Sequence, residues 1–180
     1  KLWGLAITAG STVLIIASPF FFGWILDGKY DGGLAVLPWT LTYCIWFSMC
    51  LVVQNYLWCV ERAKLVSAVY ALGLLVNVSL NVLLIPTLGL LGAVLATAAA
   101  MATALALVCI LNYHQGMRLD RRIGLIALLP ICLCFGPWIA AVVTTIVLIL
   151  AVPTNLCFSS DERRRITEFL HSYLLRLRQQ

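Results

Sequence analysis

The sequence predicts an all-α integral membrane protein, a polytopic bundle of transmembrane helices. Three observations predict it. The 180 residues are 63% hydrophobic and only 11% charged, with a mean hydropathy of +1.02, whereas roughly a quarter of an average soluble chain is charged. The apolar residues come in runs near the ~20 that cross a bilayer as a helix. All seven acidic residues (Asp27, Asp31, Glu61, Asp120, Asp161, Glu162 and Glu168) lie outside those runs.

Leu2 to Leu26 is the first expected span. It holds Gly4, Gly10, Ser11 and Pro19, which do not break it, because glycine and proline are commoner in transmembrane helices than in soluble ones. Phe20, Phe21, Phe22 and Trp24 form an aromatic belt before the polar loop DGKYDGG. Residue 1 is Lys, with no initiating methionine and no small-residue cleavage site of a signal peptide. The chain therefore reads as the C-terminal part of a longer membrane protein.

Leu34 to Val60 is the second span, and its far end carries Gln54, Asn55, Tyr56 and Trp58 before the charged turn Glu61-Arg62-Ala63-Lys64. Leu65 to Ile85 is the third and Gly92 to Asn112 the fourth. Asn77 and Asn81, four residues apart, share one face of the third helix. Pro86 and Gly89 mark a tight turn, since proline ends a helix and glycine tolerates unusual backbone angles. Gly92, Ala93, Ala96 and Thr97 then open a helix dense in small residues, which lets two backbones approach closely where oil-like packing gives no drive to associate.

Ile123 to Val152 is ambiguous. A single helix of that length would run ~45 Å against a hydrocarbon core of ~30 Å, and Gly136-Pro137 near its middle favours a break. Charge placement favours a short hairpin over one long helix. With two crossings there, eleven of the twelve basic residues share the side of Lys1, and only Lys29 lies opposite, as the positive-inside rule expects. The tail, residues 153–180, reads as a basic amphipathic helix on the cytoplasmic side. Ile166, Phe169, Leu170, Tyr173, Leu174 and Leu177 make its apolar stripe. Arg163, Arg164, Arg165, Arg176 and Arg178 then face an anionic membrane surface, or the helix docks on the protein's own cytoplasmic face.

Little here carries covalent chemistry. No nucleophile elbow, phosphate-binding loop or carboxylate pair occurs, and His114 and His171 fall in polar segments. The chain is read as no enzyme, with no cofactor. Of seven cysteines, six sit in apolar runs as small hydrophobes. Cys132-x-Cys134 lacks a second pair at zinc-like spacing, so no metal is expected. Neutral polar residues remain within the spans. Their ordinary use is interhelical hydrogen bonding; the sharper reading places Asn77, Asn81, Gln54 and Asn55 on a water-filled cavity that accepts polar cargo.

The segment LVNVSLNVLLIPTLGLLGAVLAT resembles the N-x-x-L-N-x-x-L-x-P-x-x-G-x-x-G-A-x-x-A-T signature of polysaccharide-export flippases. That family belongs to the superfamily of multidrug, oligosaccharidyl-lipid and polysaccharide exporters. PFFFGWILDGKYDGGLAVLPW looks like the family's helix end, where Gly28 and Tyr30 fall, and VERAKLVSA is similar to its short basic loop. The resemblance covers roughly residues 15–112. It implies the C-terminal lobe of a two-lobed alternating-access transporter in a bacterial inner membrane. Its partners would be membrane lipid, a polyprenol-linked saccharide and an N-terminal lobe of the same chain. Two rivals stay open: a drug or metabolite antiporter of the same superfamily, and a non-transporting scaffold of a polysaccharide-synthesis complex.

Overall fold

A computed structural model describes residues 1–24, 32–117, 120 and 122–151. Among them all regular structure is helical, with no strand. Gly28, Lys29, Tyr30, Arg118, Arg121 and the tail with Arg163, Arg164, Arg165, Arg176 and Arg178 lie outside the described residues. Four helices are long and apolar enough to cross a membrane. They are α1 (Leu2–Trp24), the broken unit Gly32–Cys59, α4 (Ala63–Leu88) and α5 (Leu90–His114).

The second span is not one helix. It divides into α2 (Gly32–Val53) and a single further turn, α3 (Asn55–Cys59). The Leu57 amide bonds back to the Gln54 carbonyl at 2.9 Å, the shorter reach of a tightened turn, and the Val53 carbonyl instead accepts a 2.8 Å bond from Asn112 Nδ2. A carbonyl released within an apolar span needs such a partner, because no water is at hand to take it.

Pro86 does not end the third span, which continues through it to Leu88. Its missing amide leaves the Val82 carbonyl, four residues back, without its helical donor, a loss that helices in apolar surroundings absorb by local adjustment. The turn is made by Gly89, at φ +56°, a region open to glycine and strained for most other residues. The following helix opens at Leu90, two residues before the expected Gly92.

Past the loop, α6 (Arg122–Leu128) runs into a 3₁₀ segment, Leu129–Phe135, and α7 (Pro137–Ala151) follows Gly136 at φ +109°. Cys132 Sγ lies 3.9 Å from Thr144 Oγ1. Twelve residues of one continuous helix would separate them by ~18 Å, so the chain folds back at Gly136. Side-chain donors of α2 hold both pieces: Trp46 Nε1 bonds the Ala127 carbonyl at the end of α6 at 2.7 Å, and Thr42 Oγ1 the Pro130 carbonyl of the 3₁₀ segment at 3.0 Å.

Packing is sequential across the bundle. Helix α5 lies against both α4 and α2, α2 also packs on α1, and α1 on α7. The core centres on Ile45, Met49 and Cys50 of α2 with Leu105 and Val108 of α5. Thr12 Oγ1 and Thr144 Oγ1, 3.1 Å apart and buried, join α1 to α7.

Candidate functional site

The α4–α5 hairpin is built from its small and polar residues. Gly92, Ala96, Ala100 and Ala104 are all buried and, spaced by four, form one ridge of α5. A methyl group on Gly92 would collide with the Leu84 carbonyl group of α4, its carbon only 2.6 Å away. Further along, a methyl group on Gly73 of α4 would rest 3.7 Å from the Ala100 carbonyl oxygen and 3.8 Å from Ala104 Cβ, in ordinary contact. Ala93, half-buried, supplies the carbonyl that Thr97 Oγ1 donates to at 2.9 Å.

Onto that contact the asparagines add a polar chain. Asn81 Nδ2 donates to Asn77 Oδ1 at 2.8 Å, and Asn77 Nδ2 donates to Thr97 Oγ1 at 3.1 Å. The sequence places Asn77 and Asn81 on one face, and the structure shows what the face meets: Thr97 of the next helix. Asn81 Oδ1 is enclosed and has no partner, so the chain ends on a free acceptor.

Gln54 and Asn55 do not join them. Gln54, 4% exposed, accepts a 2.8 Å bond from Tyr70 Oη through its Oε1. Tyr70 precedes Asn77 by seven positions on α4, which is ~10 Å of helix. Asn55 is exposed on α3. The four cavity candidates therefore divide into an α4–α5 pair, a residue at the α2 break and a surface residue.

Gln54 and Tyr70 line a groove of about 500 Å³ between α2–α3 and the start of α4. A second hollow, about 380 Å³ and almost wholly apolar, lies between Trp46, α5 and α6, with Asp120 at its edge. Tyr70, Trp46 and Asn112 were not among the expected site residues. Each is polar at its tip and bonds a group more than 15 positions away, a partnership that one-dimensional spacing does not reveal.

Charge collects at one end. Every charged side chain among the described residues (Lys1, Glu61, Arg62, Lys64, Asp120 and Arg122) belongs to the end where α1 starts, α3 meets α4, and α5 leads to α6. Lys1 Nζ meets Asp120 Oδ2 at 2.6 Å and Arg122 Nη1 approaches it at 3.4 Å. The Lys1 hydrogen bond, with the Arg122 backbone amide, holds the Asp120 carboxyl below its ordinary range. Cys132 and Cys134 diverge, toward Thr144 and Thr42 respectively. Among the described residues no three His, Cys, Asp or Glu side chains gather as metal ligands.

These features define a class: an all-helical chain with four helices able to cross a membrane and its described charges at one end. Comparison with protein-family models, curated proteins and solved structures returned no match.

Proposed function

We propose that this chain is one lobe of a multi-pass membrane transporter that moves lipid-linked saccharides across a bilayer by alternating access. The observation that carries the reading is the hairpin. Asn77, Asn81, Gly89, Gly92, Ala93 and Thr97, six of the positions on which the resemblance to polysaccharide-export flippases rests, make the α4–α5 turn and contact. A close-packed hairpin moves as a rigid unit, and rocking of such units around a midplane site is how many two-lobed transporters work. The second lobe would precede Lys1, and the bilayer would be a bacterial inner membrane with the charged end cytoplasmic.

The polar chain of the hairpin ends on the free Asn81 Oδ1, which in this reading meets a hydroxyl of the cargo when the lobes part. The test is reconstitution of the full-length protein in liposomes with a polyprenol-linked saccharide in the outer leaflet. Translocation is read as protection of the sugar from an impermeant oxidant. The wild type is expected to protect it, and Asn81→Leu to insert equally well but protect several-fold more slowly. No protection by the wild type would overturn the flippase reading, and wild-type rates in Asn81→Leu would remove Asn81 from the path.

A further inference from the structure

The groove between α2–α3 and α4 is the strongest feature that saccharide transport leaves unused. Its wall is apolar and aromatic, with Phe47, Leu51, Trp58 and Val66 along it. Phe47 and Trp58 are 42% and 54% exposed. Set into this wall is Gln54, more than nine-tenths buried. Its Oε1 is taken by Tyr70, while its Nε2 has no hydrogen-bond partner among the described residues and is not fully enclosed. An amide donor without a partner in an apolar channel calls for an acceptor from the occupant.

One end of the groove gives the occupant's charge. Ala63, the first residue of α4, is part of the wall, so the groove reaches the helix N-terminus. No side chain caps that end, and its unpaired amides carry the positive end of a 26-residue helix. Arg62 and Lys64 flank it, both exposed and neither in an ion pair. Glu61 precedes them in the same turn and leaves a net charge of +1 before the helix end is counted.

We propose that this groove seats an anionic phospholipid. The phosphate sits at the start of α4 between Arg62 and Lys64. One acyl chain lies over Phe47, Leu51, Trp58 and Val66, and Gln54 Nε2 donates to an ester carbonyl between the two. Such a lipid requires only that the chain lie in a bilayer; it does not require that the chain carry saccharides.

The test places the full-length protein in phosphatidylcholine nanodiscs containing either dibrominated phosphatidylglycerol or dibrominated phosphatidylcholine. Bromine quenches tryptophan on contact, and the Trp58 signal is the part lost in Trp58→Phe. Half-quenching of Trp58 is expected at a mole fraction of the anionic lipid on the order of tenfold lower than of the zwitterionic one. The joint substitution Arg62→Ala/Lys64→Ala is expected to erase that difference, and Gln54→Leu to weaken quenching by both lipids. Equal quenching by the two lipids, or a preference that survives the joint substitution, would overturn the site. Should that variant fail to incorporate, salt decides on the wild type. The preference should fall steeply toward ~1 M, where screening shortens to ~3 Å, and a preference indifferent to salt contradicts the assignment.

Discussion

At the scale of single residues, Gly92 leaves less room for a side chain than any other described glycine, because its α-carbon faces the Leu84 carbonyl group. A side chain there has nowhere to go unless α4 and α5 separate. Gly92→Leu is therefore expected to destabilise the protein by about 1–3 kcal/mol or to prevent folding, read as the shift in denaturant-induced unfolding in mild detergent. Unchanged stability would mean that the hairpin is not packed as described. Asp120 makes a different prediction. Its folded carboxyl titrates below the ordinary range because Lys1 and the Arg122 amide favour the charged form. A carboxyl depressed in this way stabilises the fold at every pH above its unfolded value of about 3.9. The contribution fades as pH drops from there through the lower folded value. The wild type should lose stability across that acid window, and Asp120→Asn should show a flatter profile there and lower stability at neutral pH. An unaltered acid profile in Asp120→Asn would show that the contact to Lys1 contributes nothing.

At the scale of elements, the hairpin was largely legible and the broken elements were not. Asn77 and Asn81 share a face by spacing alone, and Gly89, Gly92 and the alanines mark a turn and a close approach. Pro86 misleads, because its cost is one bond to the Val82 carbonyl four residues back, which apolar helices tolerate, and α4 runs on to Leu88. The α2 break at Gln54 has no signal in an apolar run. It depends on Asn112, 59 positions away, accepting the role of partner to the Val53 carbonyl. The same holds for the 3₁₀ segment Leu129–Phe135, which Thr42 of α2 bonds directly while Trp46 takes the Ala127 carbonyl just before it. Most span hydroxyls, by contrast, do no interhelical work: Thr40, Ser48 and Thr103 each donate to the carbonyl four residues back. Between α4 and α5 the polar contact that counts is Asn77 to Thr97. A double-mutant cycle with Asn77→Leu and Thr97→Val should yield a coupling of about 0.6–1.7 kcal/mol, the range for such bonds in apolar surroundings. Strict additivity would leave the hairpin to small-residue packing alone.

At the scale of the whole molecule, the organising fact is the separation of charge. Helix directions alternate through the α3–α4 turn, the Gly89 turn and the α5–α6 loop, and every described charge falls at the α1-start end. The opposite end offers Leu88, Gly89 and Leu90 to its surroundings, all exposed and uncharged. Apolar surface on that scale, with Leu74, Leu75, Val82 and Leu83 of α4 each more than 60% exposed, marks a face for lipid or for a protein partner rather than for water. Four crossings between Lys1 and Asp120, with the described charges on one side, is the claim on which the transporter reading and the lipid groove both stand. Labelling of single cysteines in sealed membrane vesicles tests it most directly. In a background without the other cysteines, Cys59 lies at the charged end and a cysteine replacing Leu88 lies at the other. An impermeant maleimide should reach Cys59 from one side of the membrane and Leu88→Cys only from the opposite side. Labelling of both from the same side would contradict the four-crossing account.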